Sequence, residues 1–524
     1  MALNKTSYWI LGCIGMLGAC FSVVATEVPA EIEGKKPNII LIMSDDVGFE
    51  EIGCYGVLQE PSKTPRIDAL AKQGVRFNTC YAQAICGPSR AMLYTGNYAV
   101  HNGQYDNKLT WFSMEETVPQ YRMDAYRERY SQLPCLTRIM KNAGYYVAWA
   151  GKWHHSTITG GHVHEQTEEL GIDTYIEWTS SAAPYEKITG REWMPDSTWE
   201  ISAIKKEPII SRYWKPGFIH DGEVLETTME DYGPNILTDF ICEVVRNNGQ
   251  RDAPFFAMYA MNLAHSAHCV TPLDVEKGAV PSNTHIRKGT PDGKAIFSSQ
   301  VRYMDQLVGQ IVDAVEEAGL SDDTIIIYTS DNGTTSSAKA KGVEYGVHVP
   351  FVVVGPGVER SGPTAELMDF TDILPTLAEW AGGDLSKYSV DGISLAPFLA
   401  GATKTTKPAI YSFPGPVRLV RTQTHLLEAV SSLYEQPAGR LYQTHDSFDG
   451  RGYQKITDKE SREVAQASME RLLEQYPDQL PKSFEDPAWE LKKMTKAKQH
   501  FDNPKRKQST LAHPKEYRFY DESF

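Results

Sequence analysis

Short apolar runs alternate with amphipathic segments along most of the chain. The runs are rich in β-branched and aromatic residues, which is typical of strands buried on both faces of a parallel sheet. Between them, apolar residues recur every three or four positions, as in helices that pack one face against a sheet. The predicted strands are Asn38–Met43, Tyr145–Ala150, Pro254–Tyr259, Thr324–Thr329 and Pro350–Val354, and the clearest predicted helices are Thr64–Gln73, Leu136–Ala143 and Ser299–Ala318. This alternation predicts an α/β fold with a large, mixed, mostly parallel sheet sandwiched by helices.

Two regions depart from this pattern. Gly160–Pro234 is rich in Trp, Tyr, Gly and Pro, and we expect a long irregular insertion there. Beyond Thr406, short strand candidates at Val417–Val420 and His425–Ala429 precede an amphipathic segment at Ser461–Tyr476. We therefore expect a main domain at residues 36–405 and a smaller C-terminal α+β subdomain at residues 406–524, with a small antiparallel sheet and a helix.

The N-terminus has the features of an export signal at residues 1–25. Lys5 precedes the apolar stretch Tyr8–Ala25, which ends in a small-residue cleavage pattern. An uncleaved anchor is the alternative interpretation, and the segment ending at Cys20 also resembles a lipoprotein box. We expect an exported chain, periplasmic or secreted, with no stable membrane span and with lipid anchoring at Cys20 as an alternative.

The net charge and the cysteine pattern exclude several classes of protein. The net charge of -15 argues against nucleic acid and against an acidic membrane surface as partners. A local group of cations can still bind a small anion. Of the eight cysteines, two lie in the leader, and the other six show no CxxC pair or metal-ligand spacing. A disulfide scaffold is therefore not expected.

Polar side chains follow four of the predicted strands, at the point where each strand ends. Because ligands of open α/β sheets bind outside the carboxyl ends of the strands, we expect these side chains to meet at one edge. The candidate residues in order along the chain are Asp45, Asp46, Lys152, His154, His265, Asp331 and Asn332. Several carboxylates, an amide, a lysine and histidines at one edge would suit the binding and cleavage of an anion.

The oxygen donors in this group suggest a metal ion. Asp45, Asp46, Asp331 and Asn332 offer only hard oxygen ligands, which favour Ca²⁺ or Mg²⁺ over zinc. Adjacent Asp residues also cap turns and helices without any metal. A second Asp-Asn pair at another strand end favours the metal interpretation.

The segment Cys86-Gly87-Pro88-Ser89-Arg90 is predicted to open a helix, because Pro suits the first turn. A helix N-terminus presents free N–H groups and partial positive charge, which favour an anion and a nucleophile that attacks it. Arg90 lies one turn on and could hydrogen-bond whatever residue 86 carries. A plain structural cysteine is the alternative.

These motifs together resemble the formylglycine-dependent sulfatases of the alkaline-phosphatase-like superfamily. The resemblance covers about Pro37 to Gly401. It is carried by segments that include PNIILIMSDDVGFEEIGCYG, TPRIDALAKQGVRFNTCYAQAICGPSRAMLYTGNY, AGYYVAWAGKWHH, TIIIYTSDNG and KGVEYGVHVPFVVVGPG. The resemblance implies an alkaline-phosphatase-like fold. It also implies that a maturation enzyme that reads Cys86, Pro88 and Arg90 oxidises Cys86 to Cα-formylglycine.

The resemblance also implies roles for the strand-end residues. Asp45, Asp46, residue 86, Asp331 and Asn332 would bind one Ca²⁺. Arg90, Lys152 and His154 would orient the aldehyde hydrate, Lys152 and Lys341 would hold the sulfate, and His265 would protonate the leaving group. Ala264 and Ala267 replace prolines that the family often has here, so His268 competes with His265 for that last role.

The expected function is hydrolysis of sulfate esters, and the expected substrate is a sulfated carbohydrate, either a small molecule or an oligosaccharide. Trp178, Trp193, Trp199 and Trp214 in the long insertion suit stacking on sugar faces, although aromatic residues more often lie in a core. Two alternatives stay open at this point: a phosphonate monoester or phosphodiester hydrolase of the same superfamily, and a non-catalytic sulfated-glycan binding protein.

Overall fold

A computed structural model describes most of the chain from residue 35 to residue 476. The described residues are 35–58, 61–105, 132–154, 167–178, 199–201, 208–251, 253–286, 290–334, 338–339, 342–414, 417–430, 438–445 and 447–476. The predicted leader and Cys20 lie outside them. No helix in these ranges is long and apolar enough to cross a lipid bilayer.

A ten-stranded sheet organises the chain, and it confirms the predicted mixed, mostly parallel sheet. Its strand order is β12-β2-β11-β10-β1-β9-β3-β4-β7-β8. The strands are β1 (Asn38–Ser44), β2 (Val75–Tyr81), β3 (Tyr146–Gly151), β4 (Thr174–Trp178), β7 (Phe218–His220), β8 (Glu223–Val224), β9 (Phe255–Ala260), β10 (Thr324–Ser330), β11 (His348–Val354) and β12 (Gly362–Asp369). A separate pair is formed by β5 (Trp199–Ile201) and β6 (Pro208–Ile210).

The strand β1 lies at the centre of the sheet between two parallel neighbours. All seven of its residues are buried, which explains its continuous apolar sequence. Its register sets Ser44 opposite Ser330 of β10 and Met43 opposite Ala260 of β9, and β3 continues in parallel with Gly151 opposite Ala260. Four strands therefore end together at one edge of the sheet.

Two sequence interpretations need correction. The strand predicted at Pro350–Val354 was grouped with the parallel strands, but β11 runs antiparallel to both β10 and β2. A buried apolar run looks the same in either direction, so its sequence does not give its direction. The stretch Gly160–Pro234 is also less irregular than expected, because β4, β7 and β8 extend the sheet at its far edge.

Helices cover both faces of the sheet. They are α1 (Pro65–Gln73), α2 (Cys86–Thr95), α3 (Ala99–Asn102), α4 (Leu136–Asn142), α5 (Thr167–Leu170), α6 (Gly233–Arg246), α7 (Pro272–Val275), α8 (Pro291–Glu317), α9 (Glu344–Val347), α10 (Ile373–Ala381), α11 (Ala396–Leu399) and α12 (Lys459–Leu473). On one face, Met92 and Leu93 of α2 pack with Met43 and Met258. On the other face, α6 and α8 pack with Ile42 and Tyr259. The long helix α8 begins earlier than predicted, because the Thr290 side chain accepts a hydrogen bond from the Gly293 amide and caps it.

A second, smaller sheet of five antiparallel strands follows, as expected for the C-terminal region. It consists of β13 (Ala409–Ser412), β14 (Arg418–Thr422), β15 (His425–Val430), β16 (Arg440–Gln443) and β17 (Gln454–Lys455), and α12 packs against it. A buried ion pair joins it to the main sheet, because Arg421 of β14 contacts Glu344 of α9. The domain division at residues 405 and 406 stays a prediction.

Candidate active site

The adjacent carboxylates Asp45 and Asp46 lie directly after β1, at the edge where the four strands end. The Asp45 amide donates to the Leu263 carbonyl oxygen (2.7 Å), in the segment that follows β9. The Asp46 amide donates to Asp331 Oδ1 (3.1 Å), in the segment that follows β10. Asp46 adopts a left-handed conformation with φ of 63°, which turns the chain sharply at this point. The parallel register of three strands therefore brings these carboxylates together.

Cys86 is the first residue of α2, and its side chain is fully buried against this carboxylate pair. Its Sγ lies 3.6 Å from Asp45 Oδ1 and 3.1 Å from the Lys339 ammonium. Burial, followed by the negative charges of Asp331 and Asp45, raises the pKa of the Cys86 thiol to about 12. The unmodified side chain is therefore a protonated thiol at neutral pH and not an activated thiolate.

Two further cations fix the carboxylates around Cys86. Arg90, one turn along α2, is fully buried and donates from Nη2 and Nε to Asp331 Oδ2 (2.8 and 3.2 Å). Its Nη1 donates to the Lys152 carbonyl oxygen (2.5 Å). The Lys152 ammonium donates in turn to Asp45 Oδ2 (2.7 Å). Charge-assisted hydrogen bonds of this kind hold residue 86 in a rigid, polar surrounding.

Lys339 is a site residue that the sequence interpretation missed. Its Nζ lies 2.5 Å from Asp46 Oδ1 as well as 3.1 Å from Cys86 Sγ. The predicted residue, Lys341, lies outside the described residues. The segment Ala338-Lys339-Ala340-Lys341 carries two lysines two positions apart. The pattern showed that a lysine was present but could not say which of the two faces the site.

Among the residues that the structure describes, the charges in the site are balanced. The carboxylates of Asp45, Asp46 and Asp331 face the cations of Arg90, Lys152 and Lys339. These side chains are buried except that of Lys339, which is 17% exposed. Burial raises the pKa of Asp46, but the positive charges of Lys339 and then His265 outweigh burial and lower this pKa to about 2. Burial and the neighbouring Asp45 raise the pKa of Asp331 to about 6, in spite of Arg90.

The structure separates the two candidate leaving-group histidines. Nε2 of His265 lies 3.7 Å from Asp46 Oδ2, at the site. His268 is buried in the core, where its Nδ1 pairs with Gln300 Oε1 (2.9 Å) and its ring stands edge-on to Phe297. The geometry therefore favours His265 for a role at residue 86. Burial and then Lys339 lower the pKa of the His265 ring to about 3.

His154 follows β3 and adopts a left-handed conformation with φ of 48°. Burial, and then the positive charges of Lys152 and Arg90, lower the pKa of its ring well below the usual value. Its Nδ1 is buried without a hydrogen-bond partner in the structure. A neutral imidazole with a free ring nitrogen is suited to accept a proton.

The donors at this edge fit a hard cation. Oxygen, sulfur and nitrogen atoms of Asp45, Asp46, Cys86 and His265 all lie within 4.8 Å of one another. Nδ2 of Asn332 donates to Asp46 Oδ1 (2.8 Å), whereas its Oδ1 is buried and has no hydrogen-bond partner. A buried amide oxygen close to carboxylates is a ligand that Ca²⁺ accepts. These donors thus have the composition of a cation site. Asp331 lies next to them, because its Oδ1 accepts a hydrogen bond from the Asp46 amide.

Comparisons with known proteins agree with this chemistry. A family model described as Sulfatase matches residues 37–383. The chain belongs to the sulfatase family. It is therefore a sulfuric ester hydrolase, and the resemblance predicted from its motifs is confirmed.

This sulfatase has relatives among both animal and bacterial proteins. It is 26% identical over 424 residues to arylsulfatase A of Homo sapiens, which covers 76% of this chain and 74% of the relative. It is 26% identical over 447 residues to N-acetylglucosamine-6-O-sulfatase of Bacteroides thetaiotaomicron, with 74% and 75% covered. Its fold is similar to that of Ps i-CgsB in complex with k-i-k-neocarrahexaose, with a TM-score of 0.64, 22% identity, and coverage of 91% of this chain and 100% of the other. These likenesses confirm the predicted fold class.

Two of the tryptophans proposed for sugar stacking have structural roles in this sulfatase. The Trp178 indole is buried, donates from Nε1 to the Ile210 carbonyl oxygen (3.1 Å) and lies under the Arg212 guanidinium. The Trp214 indole is also buried and donates to the Val270 carbonyl oxygen (2.8 Å). Because both indoles are buried, the structure favours the core alternative over sugar stacking for these two residues. Trp193 and the side chain of Trp199 lie outside the described residues.

Proposed function

We propose that this sulfatase is exported and hydrolyses sulfate esters of a carbohydrate, with Cα-formylglycine made from Cys86 as its nucleophile. One observation carries the proposal: residue 86 opens α2 between the carboxylate of Asp45 and the ammonium of Lys339. A group at this position has the oxygen donors of a cation site on one side and a positive charge on the other. Because burial and the neighbouring carboxylates raise the pKa of the Cys86 thiol, an unmodified thiol would be a poor nucleophile here.

Two groups would complete the site. As its hydrate, formylglycine at residue 86 would supply one hydroxyl to take up the sulfate group and a second hydroxyl to release it. One Ca²⁺, held by Asp45, Asp46, residue 86, Asp331 and Asn332, would supply positive charge next to the sulfate oxygens.

The residues of the chain then have distinct tasks. Lys152 and Arg90 hold the carboxylates in place through their hydrogen bonds to Asp45 and Asp331. Lys339 adds positive charge beside residue 86, where negative charge spreads over the sulfate oxygens. The same role for Lys341 rests on the family resemblance alone.

The two histidines handle protons. His154, with its free Nδ1, would take the proton from the second hydroxyl of residue 86. His265 presents Nε2 to the site and donates its N–H to the ester oxygen as the bond between that oxygen and sulfur breaks. The first hydroxyl would lose its proton to the neighbouring Asp45 carboxylate, whose Oδ1 lies 3.6 Å from Sγ of residue 86, as its oxygen takes up the sulfate group. The alcohol would leave with the proton from His265. Cleavage of the bond between carbon and the sulfate oxygen at residue 86 would then release sulfate and return the aldehyde, which water would hydrate again.

The carbohydrate substrate is inferred from related proteins and from the leader. The Bacteroides relative is named for an N-acetylglucosamine sulfate, and Ps i-CgsB was solved with an oligosaccharide. An export signal suits an enzyme that meets extracellular glycans.

The test is sulfate release by protein that is co-expressed with a maturation enzyme. We expect release from a panel of sulfated mono- and oligosaccharides, and loss of that activity in Cys86→Ala. Cys80→Ala is the matched control, because Cys80 is an equally buried free cysteine on β2, and this variant should keep its activity. Peptide mass spectrometry should show residue 86 lighter than cysteine in the active enzyme.

Three outcomes would contradict the proposal. An unmodified thiol at residue 86 in active enzyme would rule out the nucleophile. A large preference for aryl phosphonates or phosphodiesters over sulfates would support the superfamily alternative. Tight binding of sulfated glycans without any sulfate release by the modified protein would support the non-catalytic alternative.

A further inference from the structure

A buried arginine outside the predicted site contacts the candidate leaving-group histidine. Arg212 follows β6 and is 3% exposed. Its Nη1 lies 3.0 Å from Nδ1 of His265. Its guanidinium carbon lies 4.0 Å from the centre of the Trp178 ring, which is itself fixed by a hydrogen bond to the Ile210 carbonyl oxygen. Arg212 is thus held in one position, with a donor directed at the imidazole.

The next residue fixes the backbone of the same histidine. The Tyr213 hydroxyl lies 2.5 Å from the His265 carbonyl oxygen and 2.9 Å from the Asn262 carbonyl oxygen. Tyr213 is fully buried, and its backbone amide donates a hydrogen bond to Ser211 Oγ (3.1 Å), which fixes its position. Arg212 and Tyr213 therefore contact the ring and the backbone carbonyl of His265, respectively.

The chemistry of the guanidinium decides the direction of the hydrogen bond. Arginine carries only donors, so Nδ1 of His265 must accept, and the ring proton then lies on Nε2. Nε2 is the nitrogen that faces Asp46. The Ser266 carbonyl oxygen, 2.5 Å from Nδ1, can only accept and favours the opposite tautomer. The permanently charged Arg212 guanidinium competes with that carbonyl for Nδ1 and favours the tautomer in which Nδ1 carries no proton.

We propose that Arg212 is a positioning residue that keeps the proton of His265 on Nε2, directed at the ester oxygen of the substrate. This proposal rests on the role of His265 in the proposed function. It predicts that Arg212 matters most when the departing alcohol is a poor leaving group, as a sugar alcohol is. A nitrophenol needs little help to depart, so its release should hardly depend on Arg212.

The experiment compares two substrates in matched variants. Arg212→Met keeps an unbranched side chain that can still pack against Trp178 but removes the guanidinium donor. We expect kcat/KM for a sulfated monosaccharide to fall about 10- to 100-fold, mainly in kcat, and kcat/KM for 4-nitrophenyl sulfate to change less than about threefold. His265→Gln should show the same selective loss. In Arg212→Met/His265→Gln the loss should equal that of His265→Gln alone, because Arg212 acts through the histidine.

Two further variants serve as controls. Arg251→Met removes another guanidinium that lies 4.0 Å from an aromatic ring, that of Tyr146, and it should leave both substrates unaffected. Arg212→Lys restores a cationic donor and should recover part of the lost activity. It also keeps the test available if Arg212→Met does not fold, as judged by circular dichroism.

The two proposals fail in different ways. Equal losses on both substrates, or additive losses in the double variant, would overturn the role of Arg212 while His265→Gln still showed the selective loss. If His265→Gln itself lost activity equally on both substrates, the leaving-group role of His265 would be wrong, and the proposal for Arg212 would fall with it.

Discussion

Lys339→Met is expected to lower kcat/KM for sulfate esters by about 10²- to 10³-fold. Methionine keeps most of the length of the side chain and removes only the charge. The Lys339 ammonium lies 3.1 Å from Sγ of residue 86, so a sulfate group transferred to that residue would lie close to it. Two unit charges about 4 Å apart interact by about 4 kcal/mol at an effective dielectric constant of about 20. That energy is of the same size as the loss of about 2.7–4 kcal/mol seen when one preorganised donor is removed.

The same variant should change metal and anion binding in opposite directions. With Lys339 removed, Arg90 and Lys152 are the lysine and arginine side chains left facing Asp45, Asp46 and Asp331 in the described part of the chain, and the site gains one net negative charge. Inhibition by inorganic sulfate should therefore weaken. Ca²⁺ should bind more tightly to protein from which a chelator has removed the metal. Both are measured by titration, the first in the activity assay and the second by calorimetry.

Lys341→Met is the matched comparison for this prediction. Wild-type kcat/KM in Lys339→Met would refute the reasoning from geometry. A loss confined to Lys341→Met would show that the family resemblance, and not the contact to Cys86, identifies the sulfate-binding lysine.

Two further predictions concern the cation site and the stability of the fold. Chelation should abolish sulfate release and Ca²⁺ should restore it, and full activity after exhaustive chelation would contradict the metal assignment. Asn332→Leu should raise the Ca²⁺ concentration needed for half-maximal activity without lowering the melting temperature. Arg421→Met should lower the free energy of unfolding by about 3–5 kcal/mol in urea titrations, because it leaves the Glu344 carboxylate buried without its cation. The exposed Arg471→Met should change it by less than about 0.5 kcal/mol, and equal effects of the two would show that the Arg421 ion pair adds no stability.

The sequence predicted the parts of the site that depend on strand ends. Asp45, Asp331 and Lys152 follow parallel strands whose registers coincide, so their order along the chain was enough to place them at one edge. The start of α2 at Cys86 was predicted from its turn chemistry and proline. These features depend on local sequence and on one rule of sheet topology.

Other features depend on contacts between distant segments, which a single sequence does not show. The antiparallel direction of β11 follows from its pairing with β2, and β2 itself was not predicted. The position of Lys339 depends on its contacts to Asp46 and Cys86, which are distant in the sequence. Arg212 reaches His265 from a region that was interpreted as an irregular insertion, and no motif marks it.

The small C-terminal sheet contributes to the site even though the family resemblance ends near Gly401. It contacts the segment that follows Lys339. A Cβ atom on Gly342 would lie 2.7 Å from Val417, next to β14, so only glycine allows the two segments to approach this closely. The Glu344 amide donates to Glu428 Oε2 on β15 (2.8 Å), and the Glu344 carboxylate pairs with Arg421. Residues 342–344 are therefore fixed from the side of the small sheet, and substitutions on β14 or β15 should affect the catalytic edge through these residues.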